Sequence, residues 1–311
     1  MSGAARDAAE RGTLRSIGYR LIPGTGFDYL LHMRPREWPI MIAHTSLGYF
    51  LARGLVGVGA RDIVALAPGM LVWVLLLNGG TLAINSAFDR DDGDIGYLDH
   101  PPPPPRHLAR WGFGLMLAGQ LIALALPRGF AIAYAVCFAM SLLYSLPPVR
   151  LKAVAGADWI INMLGFGTLT AYAGWALSRI PLTPAGAWAL GGFAPLFAAL
   201  YPLTQLYQLE EDRARGDRTL ALALGVRWSL LVSIACMLLA FACFGVAARV
   251  SGQGSAHALI ALCVAALLWL AVLARWAVRA PRMTAAAHKR GMYAALVAWA
   301  ATDIAVLIAT T

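Results

Sequence analysis

Asn85-Ser-Ala-Phe-Asp89-Arg-Asp91-Asp92-Gly-Asp94, running on to Asp99-His100 and the five prolines Pro101 to Pro105, is the stretch on which the reading of this chain turns. It closes a long apolar run and packs five aspartates into the eleven residues 89–99. A second acidic stretch, Gln208-Leu-Glu210-Glu211-Asp212-Arg213-Ala-Arg215-Gly-Asp217-Arg218, closes another apolar run. Together the two hold nine of the chain's 16 carboxylates, so a very apolar protein gathers its acid at two places.

Of the 311 residues, 59% are hydrophobic and 13% charged. A soluble domain carries about a quarter charged residues, so the composition points to an integral membrane protein. A bilayer core takes about 20 apolar residues per helix. The expected fold is all-α and polytopic, with nine spans near 38–59, 63–88, 111–126, 129–146, 154–177, 184–206, 228–249, 256–274 and 292–309. The third and fourth are short and parted only by Pro127-Arg128. The expected organisation is an N-terminal segment, 1–37, followed by a single transmembrane domain, 38–311. The first segment is polar and Arg-rich and lacks the apolar core of a cleavable signal peptide.

With nine spans, 20 of the 25 Lys and Arg residues fall on one side of the membrane. Positive charge is retained on the cytoplasmic face, which places the N-terminus and both acidic stretches there, in a bacterial-type inner membrane. The net charge of +9 thus reads as topology. No basic surface of domain size exists to hold nucleic acid. Cys137, Cys236, Cys243 and Cys263 lie within apolar runs without metal or redox spacing.

Read as a helix, the second span puts Asn78, Thr81, Asn85, Asp89 and Asp92 on one face. The sixth does the same with Tyr201, Thr204, Gln205, Gln208, Glu211, Asp212 and Arg215. Polar groups at membrane depth must face protein or water, so both stripes are expected to line a central cavity open to the cytoplasm. Facing carboxylates repel unless cations intervene. Hard divalent ions take oxygen ligands, and Mg2+ commonly bridges a few carboxylates to substrate phosphates. With no His or Cys in the stripes zinc is disfavoured, and nearby Arg and Lys complete equipment suited to a diphosphate leaving group.

At this point the chain resembles the UbiA superfamily of membrane prenyltransferases. Arg34-Pro-Arg-Glu-Trp38-Pro39 is similar to that family's approach to its first helix. Asn85 and Asp89 match the first aspartate-rich motif, and Tyr144-Ser-Leu-Pro-Pro-Val-Arg150-Leu-Lys152 resembles a loop of the chlorophyll-synthase-like branch. Glu210 to Leu220, closing at Gly225, resembles the second motif. Ser86, Gly93 and Gln208 stand where the family carries aspartates.

The resemblance implies transfer of a prenyl group from a prenyl diphosphate to an aromatic, quinone-like or tetrapyrrole acceptor, with Mg2+ as cofactor. It implies Asp89 and Asp212 as catalytic residues. It implies Asn85, Asp89, Asp92, Asp94, Gln208, Glu211 and Asp212 around metal, and Arg34, Asn78, Tyr144, Arg150, Lys152 and Arg218 around substrate. Two alternatives stay open: a lipid-modifying or cyclising enzyme without an aromatic acceptor, and a non-catalytic carrier or assembly subunit. A CDP-alcohol phosphotransferase is excluded, because its DG-x-x-AR segment is missing. Asp303 and His44, alone in apolar spans, are open between a functional and a packing role. Asp158 suits the start of a helix. The proline run stiffens a loop long enough to cover the cavity.

Overall fold

A computed structural model describes residues 13–89 and 95–311, so Asp92 and Asp94 lie outside the described residues. Two short helices, α1 (Thr13–Leu21) and α2 (Gly26–His32), precede the bundle. The chain then forms α3 (Trp38–Arg53), α4 (Ala60–Asp89), α5 (Leu108–Ala123), α6 (Arg128–Ser145), α7 (Ala157–Leu177) and α8 (Pro184–Gln205). After a short α9 (Leu209–Arg215) come α10 (Leu220–Val250), α11 (Ala256–Arg279) and α12 (Ala285–Thr310). Among the described residues there is no strand, only isolated bridges joining Ile95 to Leu98 and Val154 to Arg218.

Seven of these helices are long and apolar enough to cross a membrane: α4, α6, α7, α8, α10, α11 and α12. The other two expected spans, α3 and α5, are helices of 16 residues each. The third and fourth expected spans are separate helices, with Pro127 capping the start of α6. Local chemistry sets several boundaries. Thr183, Ser255 and Thr284 each accept a hydrogen bond from the backbone N–H three residues on, as N-caps do. Gly225, with φ 71°, interrupts α10 and delays its long run, in a backbone region that a side chain disfavours.

Two features depart from the sequence expectation. The stripe of the sixth span is not one helical face, because α8 ends at Gln205 and a turn separates it from α9. Pro202 leaves the Ala198 carbonyl without its usual N–H partner, and the Trp159 indole donates to that carbonyl at 2.9 Å. The second departure is a widened, π-helical turn in α4 at Leu71–Asn78 and another in α7 at Met163–Leu169. Such turns recur at functional sites. Both flank the cavity described below.

One apolar core joins α8 to α10, α11 and α12, and a second joins α4, α6 and α7 with parts of α3. Large apolar side chains also face outward, among them Leu121, Val264, Leu267, Val297 and Ile304, as a lipid-contacting surface requires. Helix α3 meets α7 at backbone distance: a Cβ on Gly48 would lie 1.7 Å from the Ala171 carbonyl oxygen, and one on Gly174 the same distance from that of Thr45. Small residues permit this approach in membranes. Gly48→Val is expected to lower the thermal midpoint in detergent by several degrees or to prevent accumulation of folded protein, since overpacking costs about 1–3 kcal/mol or more. Gly191→Ala, where a Cβ meets open space, leaves the midpoint unchanged in the same measurement.

Candidate active site

A cavity of about 310 Å³ runs between the helices, at the lower end of the range for ligand sites. Asn78, Thr81, Asn85 and Asp89 of α4 all line it, as their spacing predicts. So do Gln208 and Asp212 from the second acidic stretch, and Arg34, Tyr144 and Lys152. Opposite the acidic end the wall is apolar and aromatic, with Trp73, Leu77, Phe166, Phe197 and Trp299. The predicted pair Asp89 and Asp212 therefore faces one chamber.

The loop after α6 joins the acidic ends. Lys152 Nζ is ion-paired with Asp89 and donates to Asn85 Oδ1 at 3.2 Å. Arg150, in a left-handed backbone conformation, pairs with Asp217 and reaches within 3.7 Å of Asp89 Oδ1. Asp212, 4% exposed, accepts from the Thr219 hydroxyl at 3.2 Å. Tyr144 and Tyr201 share a hydrogen bond of 3.0 Å between their hydroxyls. Three expected site residues among those described do not line the cavity: Glu211 and Arg218 are exposed, and Arg150 reaches it only through its contacts with Asp217 and Asp89. Arg218 instead extends a backbone contact, donating from its N–H to the Ala153 carbonyl at 3.2 Å. Glu211 sits just past the turn after Gln205, which the helical projection took as straight; Arg218 was implied by the resemblance and not by the projection.

Asp158 fixes the second acidic stretch. It is fully buried and accepts from Gly156 N at 2.9 Å, Gln205 Nε2 at 2.8 Å and Leu220 N at 3.1 Å. Gln205 Oε1 in turn accepts from Ala221 N at 3.0 Å. The residues before and after the stretch are thus tied to one carboxylate. Sequence reasoning gave Asp158 no part in the site, because its partners lie 47 and 62 positions away.

Deeper in the bundle, the two lone polar residues of the sequence meet. His44 Nε2 lies 2.9 Å from the Gly167 carbonyl, which only accepts, so Nε2 carries the hydrogen. His44 Nδ1 is 3.5 Å from Asp303 Oδ2. The pair links α3, the widened turn of α7, and α12.

Above the chamber, Ile95, Gly96 and Tyr97 close its wall. Asp99 anchors this loop through Lys289 at 3.0 Å and Arg36 at 2.8 Å. The Lys289 hydrogen bond, with Arg36 beside it, holds the Asp99 carboxyl below its usual range. Glu37, overlooked in the sequence, also lines the cavity and is 7% exposed. Burial pushes its carboxyl up to about 7, with Arg34 and Asn78 opposing the shift.

A family model described as the UbiA prenyltransferase family matches residues 41–297. The chain belongs to that family. Two digeranylgeranylglyceryl phosphate synthases, from Methanothrix thermoacetophila and Methanoregula boonei, are each 30% identical to it. Both matches span 67% of this chain, and 77% and 72% of those proteins. The solved structure of a UbiA homolog from Archaeoglobus fulgidus bound to GPP and Mg2+ superposes with a TM-score of 0.62. It is 19% identical, over 90% of this chain and 99% of that one. This UbiA-family chain is accordingly a multi-pass membrane prenyltransferase, and its cavity is the place to seek the chemistry.

Asp158→Asn replaces one accepting oxygen by a donor facing N–H groups. It is expected to cost about 1–3 kcal/mol per unsatisfied buried group, read as a lower unfolding midpoint of the purified protein.

Proposed function

We propose that the protein transfers a prenyl group from a prenyl diphosphate to a lipophilic acceptor, in a Mg2+-dependent reaction. The observation that carries this is the shared chamber: two acidic helix ends, bridged by Arg150 and Lys152, open onto an aromatic and aliphatic wall. A charged head fits the first part and an isoprenoid tail the second.

The donor set suits Mg2+. Asp89 and Asp212 offer carboxylates, and Asn85 and Gln208 offer amide oxygens, all hard ligands. Among the described residues no group of three His, Cys, Asp or Glu side chains is placed to hold a metal unaided. That agrees with an ion completed by substrate phosphates. When bound, Mg2+ supplies positive charge against the departing diphosphate. Lys152 and Arg150 add their own charge at the same place, held there by Asp89 and Asp217. Arg34 lines the same chamber from the turn before α3. Tyr144, hydrogen-bonded to Tyr201, shapes the wall beyond the head. Trp73, Phe166, Phe197 and Trp299 exclude water, which would otherwise capture an allylic cation.

For the acceptor, the two relatives named for glyceryl phosphate products favour a prenylated glycerol phosphate that attacks through its hydroxyl. The Tyr144–Lys152 loop, similar to a chlorophyll-synthase-like segment, is the support for an aromatic, quinone-like or tetrapyrrole acceptor.

Membranes containing the protein, given radiolabelled geranylgeranyl diphosphate, Mg2+ and geranylgeranylglyceryl phosphate, are expected to release diphosphate and form a doubly prenylated lipid. Replacing the acceptor by an aromatic one is expected to give no product. Asp89→Ala and Asp212→Ala are each expected to reduce transfer by at least about 100-fold, the scale of losing preorganised charge, while the proteins still insert and purify. Excess EDTA is expected to abolish turnover; activity that survives it counts against the metal assignment.

A further inference from the structure

Four carboxylates among the described residues line the chamber: Glu37, Asp89, Asp212 and Asp217. Three belong to the acidic end, where Lys152, Arg150 and Thr219 hold them. Glu37 stands apart. It caps the start of α3 and lies against Asn78 of α4, with no ion pair within 4 Å among the described residues. Asn78 is seven residues before Asn85 on the same helix, which is about two turns, or about 10 Å, toward the apolar wall. A donor with its diphosphate at Asn85 and Asp89 has its reacting carbon on the Asn78 side of that head, since the tail must run the same way. Glu37 is thus the chamber carboxylate placed beyond the diphosphate, near where the new bond forms.

The reaction needs a group there. As a donor's C–O bond breaks, its electron pair leaves with the diphosphate. A lone pair of the acceptor hydroxyl forms the new C–O bond, and the hydroxyl proton must go to a base. The acidic-end carboxylates are engaged by cations or a hydroxyl and lie on the far side of the leaving group.

We propose that Glu37 is the base that takes the acceptor's hydroxyl proton as the ether bond forms, passing it afterwards to water at the mouth of the chamber. This rests on the prenyl-transfer reading and names the acceptor side of the same site. The products balance as ether, diphosphate and one proton. Of titratable groups, Arg34 from the preceding turn and Tyr97 from the covering loop face Glu37, and the Asn78 amide faces it from α4. Burial raises Tyr97, so its phenol stays neutral and Arg34 is the charge Glu37 feels. The buried carboxyl, at about 7, is poised to exchange a proton near neutral pH.

The test uses the full chain in lipid nanodiscs with Mg2+, geranylgeranylglyceryl phosphate, and geranylgeranyl diphosphate carrying 18O in its bridging position. Scrambling of the label reports C–O ionisation without the acceptor; lipid product reports transfer. For the wild type, transfer is expected to fall about tenfold per pH unit below about pH 7, while scrambling continues. Glu37→Gln is expected to lose at least about 100-fold in transfer, the usual contribution of a general base. It loses the acid limb of the profile and keeps scrambling within about twofold. Glu37→Asp is expected to be slower but to retain the acid limb. Retention of wild-type transfer and profile by Glu37→Gln overturns the base role alone. Loss of scrambling together with transfer in both variants also overturns it, because Glu37 then serves the head or the fold. Scrambling without any ether product in the wild type removes the hydroxyl acceptor and the base with it. Absence of scrambling in the wild type overturns the prenyl-transfer reading itself.

Discussion

Two carboxylate-bearing chain segments do not face each other across an apolar chamber without positive charge between them. Here Arg150 and Lys152 provide it. Their short loop inserts between the end of α4 and the segment after α9, contacting Asp89, Asn85 and Asp217. Asp89 and Asp217 are nearly buried, with side chains 7% and 5% exposed, so each would be strongly destabilising if left alone. The left-handed backbone at Arg150, just before the Leu151–Ala153 turn, lets one short loop aim two cations at different places, the end of α4 and the segment after α9. The chamber's shape, the charge at its head and the order of the surrounding loops follow from this contact.

The rest of the fold serves to keep that contact in register. Asp158 binds the chain on both sides of the second acidic stretch and so fixes where Gln208 and Asp212 sit. On the other side, Asp99 ties the covering loop to Arg36 and Lys289, joining the first acidic region to the N-terminal turn and to α12. His44 and Asp303 hold the apolar half, at the point where α7 widens. A membrane protein has little hydrophobic drive between its helices. Specific polar contacts and glycine-mediated backbone approaches at Gly48 and Gly174 set the geometry instead.

Much of this was legible in the chain. The stripe Asn78, Thr81, Asn85 and Asp89 could be read from helical period alone, and all four residues line the chamber. In the sixth span Tyr201, Thr204, Gln205, Gln208 and Asp212 line the chamber too, but the turn after Gln205 breaks the helical period and leaves Glu211 outside. Arg218, which the resemblance implied near substrate, also lies outside the chamber's lining. His44 and Asp303 were each visible as an oddity, but nothing local said that they meet. Glu37 passed unnoticed inside a loop motif, since its burial depends on α4 and on the loop at Tyr97.

By itself, the sequence determined the membrane class, the approximate helices, the two acidic ends and the family they resemble. These follow from hydropathy and helical period, which are properties of neighbouring residues. Only the tertiary structure decided which cation meets which carboxylate, which acids turn away, and which one is buried beside Arg34 and Asn78, apart from the acidic end. Those pairings join residues far apart in the chain, and their electrostatics arise only once packing has removed the water between them.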